Sequence, residues 1–205
     1  MLRELQPLRV YAAPSILRVL REENSMFGMM NRVDPQVVWS AMKAGAPFPL
    51  LSANGHESGL RCEVCYLSGR YPKYVKSENL AREEATAALF FESAAGKRIA
   101  YVPAVGSLND TLLAKIDQAD LLLFDGTFWS YDELICVQGS GETAHEMGHI
   151  PVEESLRLLK NIKVKRKMFI HLNNTNPMLN EASLEHRAVR EAGWEVAEDN
   201  WQVEL

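Results

Sequence analysis

Cysteine is scarce in this 205-residue chain, which has only Cys62, Cys65 and Cys136. Three cysteines cannot all pair within the chain, and a reducing, cytoplasmic setting is the simpler expectation. No run of about 18 apolar residues occurs, so no membrane-spanning helix is expected. An excess of positive charge is also missing: 22 Lys and Arg stand against 27 Asp and Glu, a net charge of -5. Phosphate recognition needs clustered cations, so neither nucleic acid nor an anionic membrane is an expected partner. The short basic run Lys163-Val164-Lys165-Arg166-Lys167 reads as a solvated helix end or loop. The charges in Met1-Leu2-Arg3-Glu4-Leu5-Gln6-Pro7 leave no apolar core for a secretory signal. What is present is 47% hydrophobic and 24% charged residue, the balance of a globular protein. The length suits a single domain over residues 1–205.

Strand and helix patterns alternate along the chain with no repeat and no low-complexity linker, which is the α/β class with helices outside sheet. The chain opens as the tail of a helix, followed by a short strand at Leu8 to Tyr11. Pro14 suits the first turn of a helix in which Ile16, Leu17 and Leu20 recur at helical spacing. Asn24 to Asn31 reads as a second helical piece. Its Met26, Phe27, Met29 and Met30 form core or a homodimer surface rather than a cofactor box. Val37 to Leu51 reads as loop and short strand, and Gly59 to Leu67 alternates as a period-2 strand. Ala85 to Phe91 and Arg98 to Val102 form a hairpin, and Ser107 caps a helix running to Ile116. Leu121-Leu122-Leu123-Phe124, ending in Asp125, is a strand buried on both faces. A helix over Val152 to Ile162, a strand over Lys167 to Leu172 and a helix over Glu181 to Ala192 follow. Short edge strands at Trp194 to Val196 and Trp201 to Leu205 complete the chain.

Two of these strands stop at a chemically active side chain: Asp125 in Leu-Phe-Asp-Gly-Thr-Phe-Trp, and His171 in Phe-Ile-His-Leu-Asn-Asn-Thr-Asn-Pro. Carboxyl ends of central strands are where α/β folds collect sites, and carboxylate and imidazole both suit zinc or non-haem iron. Asp125 as a turn cap ahead of Gly126, and His171 as a hydrogen-bonded core histidine, are the competing readings. His145-Glu146-Met147-Gly148-His149 matches H-E-x-x-H literally. Gly148 and Pro151 oppose a long helix there, and position 155 holds Ser155 where a metzincin needs a third histidine. Glu181 is a poor substitute for the missing protease ligand. A loop presenting His149 is the better parse. Cys62 and Cys65 have metal-like spacing but lie three apart in a strand, so they face opposite sides and read as small apolar fillers.

Arg9-Val10-Tyr11-Ala12-Ala13-Pro14, Asn24-Ser25-Met26-Phe27, Leu67-Ser68-Gly69, Leu123-Phe124-Asp125-Gly126-Thr127-Phe128-Trp129, Met147-Gly148-His149-Ile150-Pro151-Val152 and Phe169-Ile170-His171-Leu172-Asn173-Asn174-Thr175-Asn176-Pro177 together resemble the coenzyme PQQ synthesis protein B family. The likeness covers essentially the whole chain. It implies a metallo-β-lactamase-like αββα sandwich, and a role in making pyrroloquinoline quinone from a Glu and a Tyr of a precursor peptide. The strand and Asp-His motif that supply part of the family's metal site precede the helix with which this chain begins. The expectation is therefore an N-terminally truncated form, in which His171 and Asp125 alone hold metal weakly.

What the resemblance implies for chemistry is hydroxylation of the tyrosine-derived ring by a mononuclear Fe(II) site, with zinc able to substitute. His171 corresponds to a metal histidine and Asp125 to the position that bridges or orients metal. His149, Asn173, Asn174 and Thr175 would line the pocket or touch substrate. The expected partner is the precursor peptide or its tyrosine-derived product. A second reading, also carried by the resemblance, is a non-catalytic carrier aiding transport of the quinone or its precursor to the periplasm. A third is a metallo-hydrolase of the same fold. A hydrolase prefers a histidine-rich dinuclear site, and only His149 and His171 are suitably placed here.

Overall fold

The structure, a computed structural model, describes residues 7–23, 27, 36–71 and 75–205. The helix tail expected at the start, and all of the expected Asn24 to Asn31 helix except Phe27, lie outside the described residues. The chain divides into two compact units, Met1–Thr86 and Ala87–Leu205. Among the described residues no helix is long and apolar enough to cross a membrane.

In the first unit, β1 (Leu8–Ala12) and β2 (Val37–Ala41) pair in parallel from Leu8↔Val37 to Ala12↔Ala41. Helix α1 (Pro14–Arg18) begins on its proline, where the missing N–H costs nothing, and runs into a π-turn over Val19–Glu23. The stretch expected as loop and one short strand contains a second strand, β3 (Phe48–Leu51), antiparallel to β4 (Glu57–Leu67). The tyrosine hydroxyls stitch these pieces together. Leu51 N–H donates to Tyr11 Oη at 2.8 Å, and Tyr66 Oη donates to the Met42 carbonyl at 2.8 Å. In β4, Cys62 is fully buried and Cys65 half-buried, so Cys62 is the apolar filler its strand position suggested.

In the second unit the strands run in the order β5 (Thr86–Ser93), β6 (Arg98–Val102), β7 (Leu121–Asp125), β8 (Arg166–Ile170) and β9 (Glu195–Val196). The expected β5–β6 hairpin is present and antiparallel, and every later pairing is parallel. Parallel strands need crossovers, and four helices supply them or flank them: α2 (Asp110–Ile116), α3 (Glu133–Gln138), α4 (Val152–Leu158) and α5 (Leu184–Glu191). Helix α2 is capped by Asn109, whose Oδ1 accepts the Leu112 N–H at 2.8 Å, and not by Ser107. The cap sits nearer the helix because Asn109 has the extended backbone and the three-residue reach to that orphan N–H. Helix α5 likewise starts at its cap, Ser183, rather than at Glu181.

The central strand is apolar up to Asp125 because little of it meets water: Leu121, Leu122 and Phe124 are all essentially inaccessible. Beside it Phe169 stacks on Trp194 at 4.3 Å, and Phe124 stands edge-on to both. Two edge expectations change. Arg166 and Lys167 of the basic run belong to β8, with Arg166 paired to Glu195 at 3.3 Å and Lys167 over the Trp194 ring. Trp201 to Leu205 makes no strand, because a turn with Asn200 in the left-handed region breaks the chain after β9 and Trp201 lies under the Arg166 guanidinium.

Because β7 and β8 are parallel neighbours, with Asp125 opposite Ile170, both strands release their next residues at the same edge of the sheet. Gly126 makes that exit possible. A Cβ there would lie 2.7 Å from Leu172 Cδ2 and 2.9 Å from both Met178 Cε and Phe169 Cβ. Gly126→Ala is expected to cost roughly 1–3 kcal/mol through overpacking. Thermal unfolding checks it, and an unchanged midpoint would contradict the tight fit.

Candidate metal centre

Asp125, at the end of β7, is completely buried. Burial alone would drive a carboxyl to take up a proton. Here four hydrogen-bond donors hold it ionised. Oδ1 accepts the Thr127 N–H at 3.1 Å and the Thr127 hydroxyl at 2.6 Å. Oδ2 accepts the Val105 N–H at 3.0 Å and lies 2.7 Å from His149 Nδ1. Burial therefore works against ionisation, but the contacts from His149, His171 and Thr127 outweigh it and hold the Asp125 pKa below its ordinary 3.8.

His171 is the first residue after β8 and takes a left-handed conformation, φ 56°. A bulky side chain adopts that backbone at a cost, and such outliers gather at functional sites. The turn swings its Nδ1 to 2.8 Å from Thr127 Oγ1 and 3.8 Å from Asp125 Oδ1. The Asp125 carboxylate raises the His171 pKa above 6.5, opposed by partial burial and helped by the Pro103 carbonyl.

His149 arrives on the loop between α3 and α4. That loop has no helical ladder of its own and is held by backbone bonds: His149 N–H to the Ala144 carbonyl, and Ile150 N–H to the Val105 carbonyl, both at 2.9 Å. The last bond ties the histidine loop to the same segment that donates an N–H to Asp125. Phe128 stands edge-on to the His149 ring at 5.7 Å, and the His149 and His171 rings lie 5.6 Å apart.

One donor atom from each of Asp125, His149 and His171 falls within 4.8 Å of the others. Two imidazoles and a carboxylate are a suitable donor set for zinc or for ferrous iron. The structure thus gathers the two strand-end residues and the loop histidine into one cluster. It leaves the other half of the H-E-x-x-H match elsewhere: His145 Nε2 sits 2.9 Å from Glu154, and the Glu146 carboxylate accepts from Thr143. Asn173 donates to Thr175, and Thr175 donates to Glu133, whose other oxygen accepts the Trp129 N–H at 2.6 Å. Asn174 is exposed. Two residues that the sequence reading did not single out carry much of this arrangement. Thr127 touches all three members of the cluster, and buried Glu133 joins the loops after β7 and β8. Thr127 could have been found only from the regular two-residue offset that carries a side chain back to the strand-end carboxylate. Nothing in the sequence distinguishes Glu133 from a surface glutamate.

A strand-end Asp, a strand-end His and a buried parallel sheet are features of metallo-β-lactamase-fold proteins, and the Beta-lactamase superfamily domain matches residues 1–172. The chain has that mixed α/β fold. Coenzyme PQQ synthesis protein B of Xanthomonas oryzae pv. oryzae (strain MAFF 311018) is 33% identical over 211 residues, spanning 100% of this chain and 67% of that protein. The protein of the same name from Methylorubrum extorquens (strain ATCC 14718) is 34% identical over 212 residues, with the same two shares. Among solved structures, Zn(2+)-bound PqqB from Methylobacterium extorquens matches with a TM-score of 0.86 at 33% identity, over 100% of this chain and 67% of that one. The chain belongs to the coenzyme PQQ synthesis protein B family.

The charge arrangement has a pH signature in the metal-free chain. His171, raised when folded, contributes stability that is complete below pH 6.5 and is lost as pH rises through its folded value. Asp125, lowered when folded, contributes stability that is present above pH 3.8 and is lost as pH falls through its folded value. Asp125→Asn leaves buried donors facing one another and should cost about 3 kcal/mol near neutrality. The same change should flatten the alkaline limb. Thermal unfolding in chelator across the pH range reads both, and an unaltered profile would refute the coupling.

Proposed function

We propose that this chain serves coenzyme PQQ synthesis as part of a metal-dependent oxygenase acting on the tyrosine-derived ring of a PQQ precursor. The observation that supports this most is the convergence of Asp125, His149 and His171 within 4.8 Å, in a chain alike over its full length to proteins of that name. The zinc in the Methylobacterium extorquens structure belongs to that protein, and ferrous iron is the ion suggested for this one. Ferrous iron supplies dioxygen activation when bound, and a site with few protein ligands leaves positions for oxygen and substrate.

The chain's own residues define what surrounds that chemistry. His171 is half-exposed, so its ring forms the solvent-facing wall of the cluster, while Asp125 and Thr127 form its dry floor. Phe128 shields one side of the His149 ring. Glu133 and Thr175 tie down the loop that follows His171, which keeps its strained backbone in place. His149, on a separately anchored loop, would supply the second imidazole of the cluster.

The test is to load the protein anaerobically with ferrous iron, add a tyrosine-containing precursor and dioxygen, and weigh the product. A gain of oxygen in the tyrosine-derived part is the expected result. Bound iron with an unchanged product would reject the oxygenase reading in favour of the carrier, whose mark is co-elution of the quinone or precursor with the protein.

A further inference from the structure

Helix α4 presents two faces. Val152, Ser155 and Leu159 are fully buried. Glu154 and Leu158, four positions apart and so on one side of the helix, stand clear of that core. The Leu158 residue is 50% exposed and the Glu154 side chain 34%. Together with Leu113 of α2, the Gly106–Leu108 segment and Ile150, they line a cavity of about 300 Å³. Ile150 is its most buried wall, fixed by the bond from its N–H to the Val105 carbonyl at 2.9 Å. Asp125, His149 and His171 do not line this space, which lies beside the histidine loop and outside the metal cluster.

The lining has one chemical bias. Leu108, Leu113, Ile150 and Leu158 are aliphatic, Glu154 is the one charged group, and no cation faces the space. Glu154 Oε2 lies 2.9 Å from Nε2 of His145, the half of the H-E-x-x-H match that the metal cluster leaves aside. Its Oε1 has no partner among the described residues, and neither has the Ser107 hydroxyl. A wholly apolar occupant would leave that carboxylate oxygen facing hydrocarbon, and burying such an oxygen without a donor is costly. An anionic occupant would be repelled. A charged donor makes the strongest hydrogen bond a carboxylate can accept. The volume is at the lower end of small-molecule sites, which suits a one-ring amine and is too small for a peptide segment.

We propose that this cavity is a binding site for a small primary amine with a compact apolar body. Its ammonium group donates to Glu154 Oε1 and to the Ser107 hydroxyl, and its body rests on Leu108, Leu113, Ile150 and Leu158. His145 holds the other carboxylate oxygen and so sets the direction in which Oε1 points. The site needs no metal and stands or falls separately from the oxygenase reading.

The experiment uses the 205-residue chain labelled at its Leu and Ile methyl groups, in chelator. Three probes of one shape are titrated: phenethylamine, 2-phenylethanol and phenylacetate. Phenethylamine should give saturable shifts at the methyls of Leu108, Leu113, Ile150 and Leu158, at millimolar concentration as befits so small a ligand. The alcohol should bind roughly tenfold more weakly and the carboxylate not at all. Glu154→Gln should weaken the amine roughly tenfold and leave the alcohol unchanged, which also shows that the cavity is still formed. Saturable shifts that miss these four residues would overturn the proposal. So would equal affinity for amine and alcohol in the wild type, or an amine preference that survives in the glutamine variant.

Discussion

A fully buried carboxylate with four donors around it is the constraint on which the rest of the second unit depends. Burying an ion is costly unless its hydrogen-bonding capacity is met, so the elements that meet it must come to fixed places. The segment after β6 brings the Val105 N–H, the turn after β7 brings Thr127, and the loop before α4 brings His149. Three chain segments distant in sequence are thereby registered on one side chain. The parallel β7–β8 pair then delivers His171 to the same edge, and the close packing around Gly126 sets how near it comes.

How much of this could be read in advance depended on whether a residue's position is set by local pattern or by distant contacts. The strands from Thr86 onward were legible because their apolar runs stop abruptly, and Asp125 and His171 were legible for the same reason: a polar group at the end of such a run marks the strand's mouth. His149 was placed at the pocket by the resemblance alone and not by pattern, because its loop is held by backbone bonds to the Val105 and Ala144 carbonyls, and backbone bonds leave no trace in side-chain periodicity. Glu133 was invisible since its burial comes from partners at Trp129 and Thr175, the latter 42 positions away. The displaced caps at Asn109 and Ser183 reflect competition between nearby polar residues, which backbone angle decides. The lost strand at Trp201 to Leu205 is a case of tertiary contact overriding a β-favouring composition.

The Asp125 site is also economical about solvent. Its floor is dry, one ring is shielded by Phe128, and the other stands half in water. The cluster thus has a buried base and an open face on the His171 side. A structural metal knot, by contrast, is closed all round.

The claim at the centre of this account is that His149 and His171 form one metal centre on a shared base. Anaerobic titration of the chain with ferrous iron, alongside His149→Ala, His171→Ala and the double variant, tests it most directly. The account predicts one ion per chain, lost or weakened at least roughly tenfold in either single variant, with the double variant little worse than each alone. Iron binding that survives both single substitutions, or losses that simply add, would contradict it.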